Sequence, residues 1–166
     1  MTDLVVIMGV SGCGKSSVGK MLGREFGFKF IDWDDLHPSS NVAKMSRGVP
    51  LDDADRAPWL ASVGNVLAGA KERTAIACSA LKRSYRDIVR AQAGNAVFLH
   101  LHASQAVLAK RVNARKGHFM PPSLLDSQSD ALEMLEEDEA GIMVNIDQPI
   151  DAVFAETMTY FRETAR

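Results

Sequence analysis

Gly9-Val10-Ser11-Gly12-Cys13-Gly14-Lys15-Ser16 restricts this chain more than any other stretch, because it demands a strand before it, a helix after it and an anion between them. It fits G-x-x-x-x-G-K-[ST], the pattern of a phosphate-binding loop. Leu4 to Met8, apolar and β-branched, supplies the strand, and Val18, Met21, Leu22 and Phe26 share one face of the helix that follows. The loop's backbone N–H groups wrap a β-phosphate while the helix points its positive end at the same anion. Gly9, Val10, Ser11, Gly12, Cys13, Gly14, Lys15, Ser16 and Ser17 are therefore the expected contacts of a nucleoside triphosphate. Gly9, Gly12 and Gly14 let backbone approach oxygen where a Cβ would intrude. Lys15 reaches the β- and γ-phosphates, and the Ser16 hydroxyl completes a Mg²⁺ shell. A chance glycine-rich turn would also fit the pattern, but chance does not supply the strand and the amphipathic helix around it.

Apolar runs alternate with helical patterns along the rest of the chain, the signature of an α/β fold built on a mainly parallel sheet. Strands are expected at Phe28 to Ile31, Thr74 to Cys78, Ala96 to Leu101 and Ile142 to Ile146, making five with the first. Helices are expected over Asn41 to Arg47, from an N-cap at Asp55 through Trp59, Leu60, Val63, Val66, Leu67 and Ala70, and over Lys82 to Ala93. Two more run through Val107, Leu108 and Val112 and from Ile150 through Val153, Thr157 and Phe161. Gly117 and the Pro121-Pro122 pair interrupt the alternation and mark a flap, with a short helix through Leu124, Leu125 and Gln128 after it. With 166 residues, 46% of them hydrophobic, the chain is expected to be one domain over 1–166.

Charge and cysteine content narrow the partners. A net charge of −2 and a pI of about 6.1 call for no polyanion, so no nucleic acid is expected. Cys13 and Cys78 make no disulfide framework, and the N-terminal apolar run stops at Met8. No signal peptide or membrane span is read, and a cytoplasmic protein with reduced thiols is expected. Cys13, inside the loop, is either a redox-sensitive thiol or a small side chain filling a variable position.

Ligands of open α/β sheets bind beyond the carboxyl ends of the strands, and polar residues gather at those ends here. Asp32 and Asp34 follow the second strand. They suit water-mediated contact with Mg²⁺ and acceptance of a substrate hydroxyl's proton, or else form a solvated acidic turn. His37 is either a hydrogen-bond partner for a polyol or a structural turn residue beside Pro38. Ser79, Lys82 and Arg86 follow the third strand. Lys82 and Arg86, spaced i and i+4, share a face near a helix start, where the dipole disfavours cations. An anionic ligand explains them, and so does pairing with Asp87 or a solvated face. Arg111 and Arg115 end a helix, where cations are at home, but the flap directly after them can close over a γ-phosphate. Arg56, beside Asp52, Asp53 and Asp55, is either their partner or a bidentate clamp for a substrate carboxylate.

These features suit a small-molecule kinase, a GTPase-like switch or a nucleotide-binding module of a larger assembly. The guanine-reading N-K-x-D stretch of a switch is absent, and the third strand ends in Ala77-Cys78-Ser79-Ala80 rather than in an acid. Several further strings are much more specific. They are Asp34-Asp35-Leu36-His37-Pro38, Asn41 to Met45, Pro50-Leu51-Asp52 through Asp55-Arg56 to Pro58-Trp59-Leu60, Cys78-Ser79-Ala80-Leu81-Lys82 with Tyr85-Arg86-Asp87, and Gly117-His118-Phe119-Met120-Pro121. In these, over nearly its whole length, the chain resembles the gluconokinases, P-loop kinases related to shikimate kinase. The resemblance implies a three-layer P-loop kinase fold with helices on both sheet faces and a small lid at about residues 115–135. It implies transfer from ATP with Mg²⁺ to D-gluconate, giving 6-phospho-D-gluconate, with another small hydroxylated acid such as shikimate as the alternative acceptor. It also implies a homodimer. Asp34 becomes the base for the acceptor hydroxyl and Asp32 a neighbour of Mg²⁺, with Lys15 and Arg115 acting on the transferred group. Lys44, Arg56, Lys82 and Arg86, with His37 and His118, become the pool that reads gluconate. Arg111 and Asp147-Gln148-Pro149 fall on the nucleotide, the latter where related kinases pass the adenine. The chain departs from the pattern at Cys13, often serine, at Trp33, usually small, and at Ser129, usually aromatic.

Overall fold

Leu4–Met8 forms β1, and all five of its residues are buried, as a strand covered on both faces must be. The computed structural model describes residues 4–114 and 122–164. After β1 come α1 (Lys15–Phe26), β2 (Lys29–Asp32), a 3₁₀ turn (Trp33–Leu36), α2 (Ser39–Ser46), α3 (Asp53–Ala68) and β3 (Thr74–Ala77). They are followed by α4 (Arg83–Gln92), β4 (Val97–His102), α5 (Gln105–Ala114), α6 (Pro122–Ala131), β5 (Gly141–Asn145) and α7 (Ile150–Thr164). The strands pair in the order β2-β3-β1-β4-β5, every pair parallel.

From β1 the chain steps toward β2, and from β2 onward it steps the other way. Right-handed crossovers then put α1 on one face and α3 and α4 on the other. The packing agrees. Phe26 and Phe28, at the end of α1 and just after it, meet Phe161 of α7 at 6.1 and 5.7 Å between ring centroids. On the other side α3 approaches α4 so closely that a Cβ on Gly64 would lie 3.0 Å from the Val89 carbonyl oxygen. β1 is flanked by β3 and β4, so the chain reverses direction across the sheet at its carboxyl end, where such folds open a crevice. The register aligns the ends, with Ile7 and Asp32 both opposite Ala77 of β3. The loop after β1, the acids after β2 and Ser79 after β3 therefore emerge side by side.

Boundaries move from expectation where side chains decide them. Asp52, not Asp55, caps α3: its carboxylate accepts from the Asp55 N–H at 2.8 Å while the Asp55 carboxylate accepts from the Asp52 N–H at 3.0 Å. Asp55 is thus the reciprocal member of a capping box, which is worth about 1 kcal/mol. Lys82 stands at the N-cap of α4 and outside the helix, so it does not share a helical face with Arg86. Val66, one of the apolar positions expected along this helix, is 37% exposed.

One buried group gives the fold a pH dependence. His100 in β4 has no exposed surface, and neither ring nitrogen has a hydrogen-bond partner among the described residues. Burial above all, then His102 and Arg86, pushes its pKa down to about 4. The unfolded chain takes up this proton near pH 6.5 and the folded chain near 4, so stability is complete above 6.5 and falls as pH drops through that window. Denaturant melts from pH 7 to pH 4 should show a loss of stability that His100→Leu makes shallower. Parallel curves for the two proteins would refute this.

Candidate active site

The loop between β1 and α1 holds its shape through glycines that no other residue can replace. A Cβ on Gly9 would sit 2.5 Å from the Leu101 carbonyl oxygen and 2.7 Å from Cys13 Sγ. At Gly14 there is open space, but φ is +93°, so glycine is needed there for the backbone itself. Lys15, 7% exposed, turns back under the loop. Its Nζ donates to the carbonyls of Gly9 and Val10 at 3.0 and 3.3 Å and pairs with Asp34 Oδ2 at 3.1 Å. Burial pulls the pKa of this ammonium down, but the Asp34 carboxylate outweighs it and holds the pKa above the ordinary lysine value.

Asp34 sits in the 3₁₀ turn after β2, an element absent from the pattern of the sequence. Its Oδ1 accepts from the Ser79 N–H at 3.1 Å and the Ser79 hydroxyl at 3.2 Å. Ala80, next to Ser79, has φ +30°, a conformation costly for a residue with a side chain. That strained turn aims the Ser79 N–H at Asp34. Two residues earlier, Asp32 Oδ2 accepts from the Ser16 hydroxyl at 2.6 Å. This pair of hard oxygens at the loop's edge fits Mg²⁺, which takes one or two protein oxygens and fills its shell with water and phosphate. No cluster of three His, Cys, Asp or Glu side chains suited to a metal occurs among the described residues.

Lys15, Ser16, Asp32, Asp34, His37 and Arg56 all face one cavity of about 710 Å³. A second cavity, about 490 Å³, lies between the start of α3, the start of α4 and α6 and shares Leu51 and Arg56 with the first. Arg56 is 8% exposed, and no described carboxylate lies within ion-pair distance of it. Its guanidinium instead lies 5.7 Å from the centre of the Tyr85 ring, and Lys82 Nζ lies 5.4 Å from that centre. Lys82 also pairs with Asp53 at 3.3 Å. Asp53 accepts a hydrogen bond from the Tyr85 hydroxyl, and these two contacts hold its pKa below the usual range.

The other expected cations are placed differently. Lys44 pairs with Asp55 at 2.6 Å and does not line the cavity. Arg86 is a correction. It has no exposed surface, and Glu139 accepts from its Nε and Nη2 at 2.7 and 2.8 Å. It also donates to the carbonyls of Glu133 and Met134, so it ties the segment after α6 to α4 instead of facing a ligand. Breaking such a buried pair costs about 3–5 kcal/mol. His37 lines the cavity and is also structural, stacked on Trp59 at 4.1 Å. The Asn41 amide can only donate to its Nδ1, at 3.4 Å, so the ring proton sits on Nε2. Arg111 lines the cavity and donates to the Ile146 carbonyl at 2.7 Å. Asp147, Gln148 and Pro149 form the turn between β5 and α7, beyond the cavity lining. Arg115 and His118 lie outside the described residues.

A family model described as shikimate kinase matches residues 11–162. The gluconokinase of Gluconobacter oxydans is 45% identical over 161 residues, covering 95% of this chain and 90% of that one. The thermoresistant gluconokinase of Escherichia coli is 41% identical over 165 residues, with 96% and 94% covered. The crystal structure of a gluconokinase from Sinorhizobium meliloti superposes with a TM-score of 0.90 at 45% identity, over 99% of this chain and 94% of that one. The chain belongs to the gluconokinase family. The expected α/β fold of a P-loop kinase is the fold observed.

The three departures from the gluconokinase pattern have structural sequels. Cys13 is 1% exposed, and burial raises its thiol pKa, so it is a filler under the loop and not a reactive thiolate. Trp33 packs away from the cavity lining, and its carbonyl accepts from the Trp59 indole at 3.3 Å. Ser129 is left with a buried hydroxyl that has no partner among the described residues. Two residues of this gluconokinase site carry no signal in the sequence. Glu139, the partner of Arg86, is distant along the chain. Gln128, which reaches the phosphate loop from α6, looks like any polar helix residue.

Proposed function

We propose that the protein transfers the γ-phosphoryl group of ATP to a hydroxyl of D-gluconate, giving 6-phospho-D-gluconate and ADP. Arg56 carries this reading. A buried guanidinium with no described carboxylate within ion-pair distance, at the wall shared by both cavities, calls for a substrate that brings one. The gluconokinase relatives match it over nearly the whole chain.

In this mechanism Asp34 takes the proton of the acceptor hydroxyl, whose oxygen attacks the γ-phosphorus while the bond to the β-phosphate oxygen breaks. The proton ends on the Asp34 carboxyl and the electron pair of the broken bond on ADP. Lys15 turns from Asp34 to the phosphates, which frees Oδ2 for the hydroxyl and brings a cation to the transferred group. Ser16 and, through water, Asp32 would hold Mg²⁺, which would neutralise phosphate charge. Lys82 and His37 stand around the acceptor, and Arg111 and Asp147-Gln148-Pro149 on the nucleotide side, while Lys44, paired with Asp55 away from the cavity lining, drops out of the acceptor set. Arg115, His118 and a lid at about residues 115–135 complete the proposal on the family resemblance, as do one domain over 1–166, a homodimer and a cytoplasmic setting. The buried thiols of Cys13 and Cys78 suit that setting. No helix among the described residues is long and apolar enough to cross a membrane.

Arg56→Ala should raise KM for gluconate by about tenfold or more, the worth of a charge-assisted hydrogen bond, and leave KM for ATP within about twofold. The wild type should prefer gluconate to glucose, and to shikimate, in a steady-state panel, and the variant should lose the preference over glucose. An equal rise in both KM values, or none, would remove Arg56 from the acceptor site. Turnover indifferent to every acid would remove the kinase reading itself.

A further inference from the structure

Ser11, the third residue of the phosphate loop, donates its N–H to Gln128 Oε1 of α6 at 2.8 Å, across 117 residues of sequence. Loop N–H groups of this kind are the donors a phosphate needs, so it matters what the partner is. A carboxylate at this position would repel a triphosphate, and an apolar side chain would leave the N–H bare. An amide does neither. Its oxygen can accept only from a donor, which fixes the orientation of the group, and the Nε2 branch then carries two N–H donors. No described residue accepts a hydrogen bond from those donors, and Gln128 lines the same cavity as Lys15, Ser16 and Asp34.

α6 is held independently of this contact. Leu125, one turn before Gln128, is 4% exposed in the core, and the segment after the helix is tied down by Arg86, which binds the Glu133 and Met134 carbonyls. The Glu133 N–H also donates to the Leu81 carbonyl at 2.7 Å, beside the strained turn that aims Ser79 at Asp34. The helix is therefore braced from behind, and Gln128 is its one described hydrogen bond to the phosphate loop.

We propose that Gln128 reads the γ-phosphoryl group: its oxygen stays anchored on the Ser11 N–H while its Nε2 donates to a γ-phosphate oxygen. Gln128 then makes the site discriminate a triphosphate from a diphosphate and ties the position of α6 to the presence of the group to be transferred. The inference rests on the use of ATP but not on the identity of the acceptor.

The test is equilibrium binding without acceptor, by calorimetry, of ADP and of the non-hydrolysable β,γ-imido analogue of ATP with Mg²⁺. Gln128→Ala should weaken the triphosphate analogue about tenfold, the loss of one hydrogen bond to a charged group, and change ADP less than about twofold. Gln128→Glu, which keeps the acceptor for Ser11 but replaces the donor by a charge, should weaken the analogue further still. Tighter binding of both nucleotides by Gln128→Ala would show the side chain to be a plug that ATP displaces, and would overturn the proposal. Equal weakening of both, or a fallen melting temperature with no change in their ratio, would leave only a packing role and overturn it as well. Because no acceptor is present, these outcomes stand apart from any failure of the gluconate assignment.

Discussion

Lys15→Ala is expected to lower kcat for phosphoryl transfer by about a thousandfold or more, because a preorganised cation in a water-poor site acts on charge as it develops. The size of the effect follows from where the ammonium lies. It is buried, it is kept charged by Asp34, and the Gly9 and Val10 carbonyls hold it within reach of the loop's mouth. Alanine also leaves Asp34 without its cation, so melting temperature should be read alongside rate, and the rate compared only among folded samples. Lys15→Arg should not restore activity, since the planar fork needs different partners from those that suit an ammonium. A folded Lys15→Ala protein with kcat within tenfold of wild type would take Lys15 out of the transfer step.

Asp34→Asn should reduce kcat by about a hundredfold to ten-thousandfold, the range for loss of a positioned general base, with KM for ATP changed far less. The substitution is nearly isosteric, and its carbonyl oxygen can still accept from Ser79. What it loses is the site for the proton and the charge that faces Lys15. If the variant keeps kcat and loses ATP affinity instead, Asp34 belongs with Asp32 to the metal.

The fold was legible because its signals are local and repeated. Five apolar runs between helical patterns leave few arrangements, and the phosphate loop fixes which strand is central. The boundary errors came from side chains that compete with pattern. Asp55 looks like a cap, yet Asp52 reaches its N–H and shifts the helix start to Asp53. Within the site, Lys15, Ser16, Asp32 and Asp34 were legible because each sits at the end of a strand or in the loop. The basic residues were not sortable by spacing. Arg86 and Arg56 look alike in sequence, and only the fold brings Glu139 to one and no described carboxylate to the other. Trp59 and Leu60 after Arg56, or Tyr85 before Arg86, say nothing about where an acid distant along the chain will fall. Gln128 escaped for the same reason: its partner is a backbone N–H, which leaves no trace in composition.

The setting of Arg56 bears on the protein's durability as well as its chemistry. A guanidinium that is 8% exposed, lines both cavities and has no described carboxylate within ion-pair distance is one whose charge a small carboxylate can neutralise from outside. The acceptor then counts as a structural component supplied by the cell. By mass action, a ligand at a hundred times its dissociation constant adds about 2.7 kcal/mol to the folded state. The half-life of this chain in a cell should therefore track the supply of the acid it consumes, rising when the acid is abundant and shortening when it runs out.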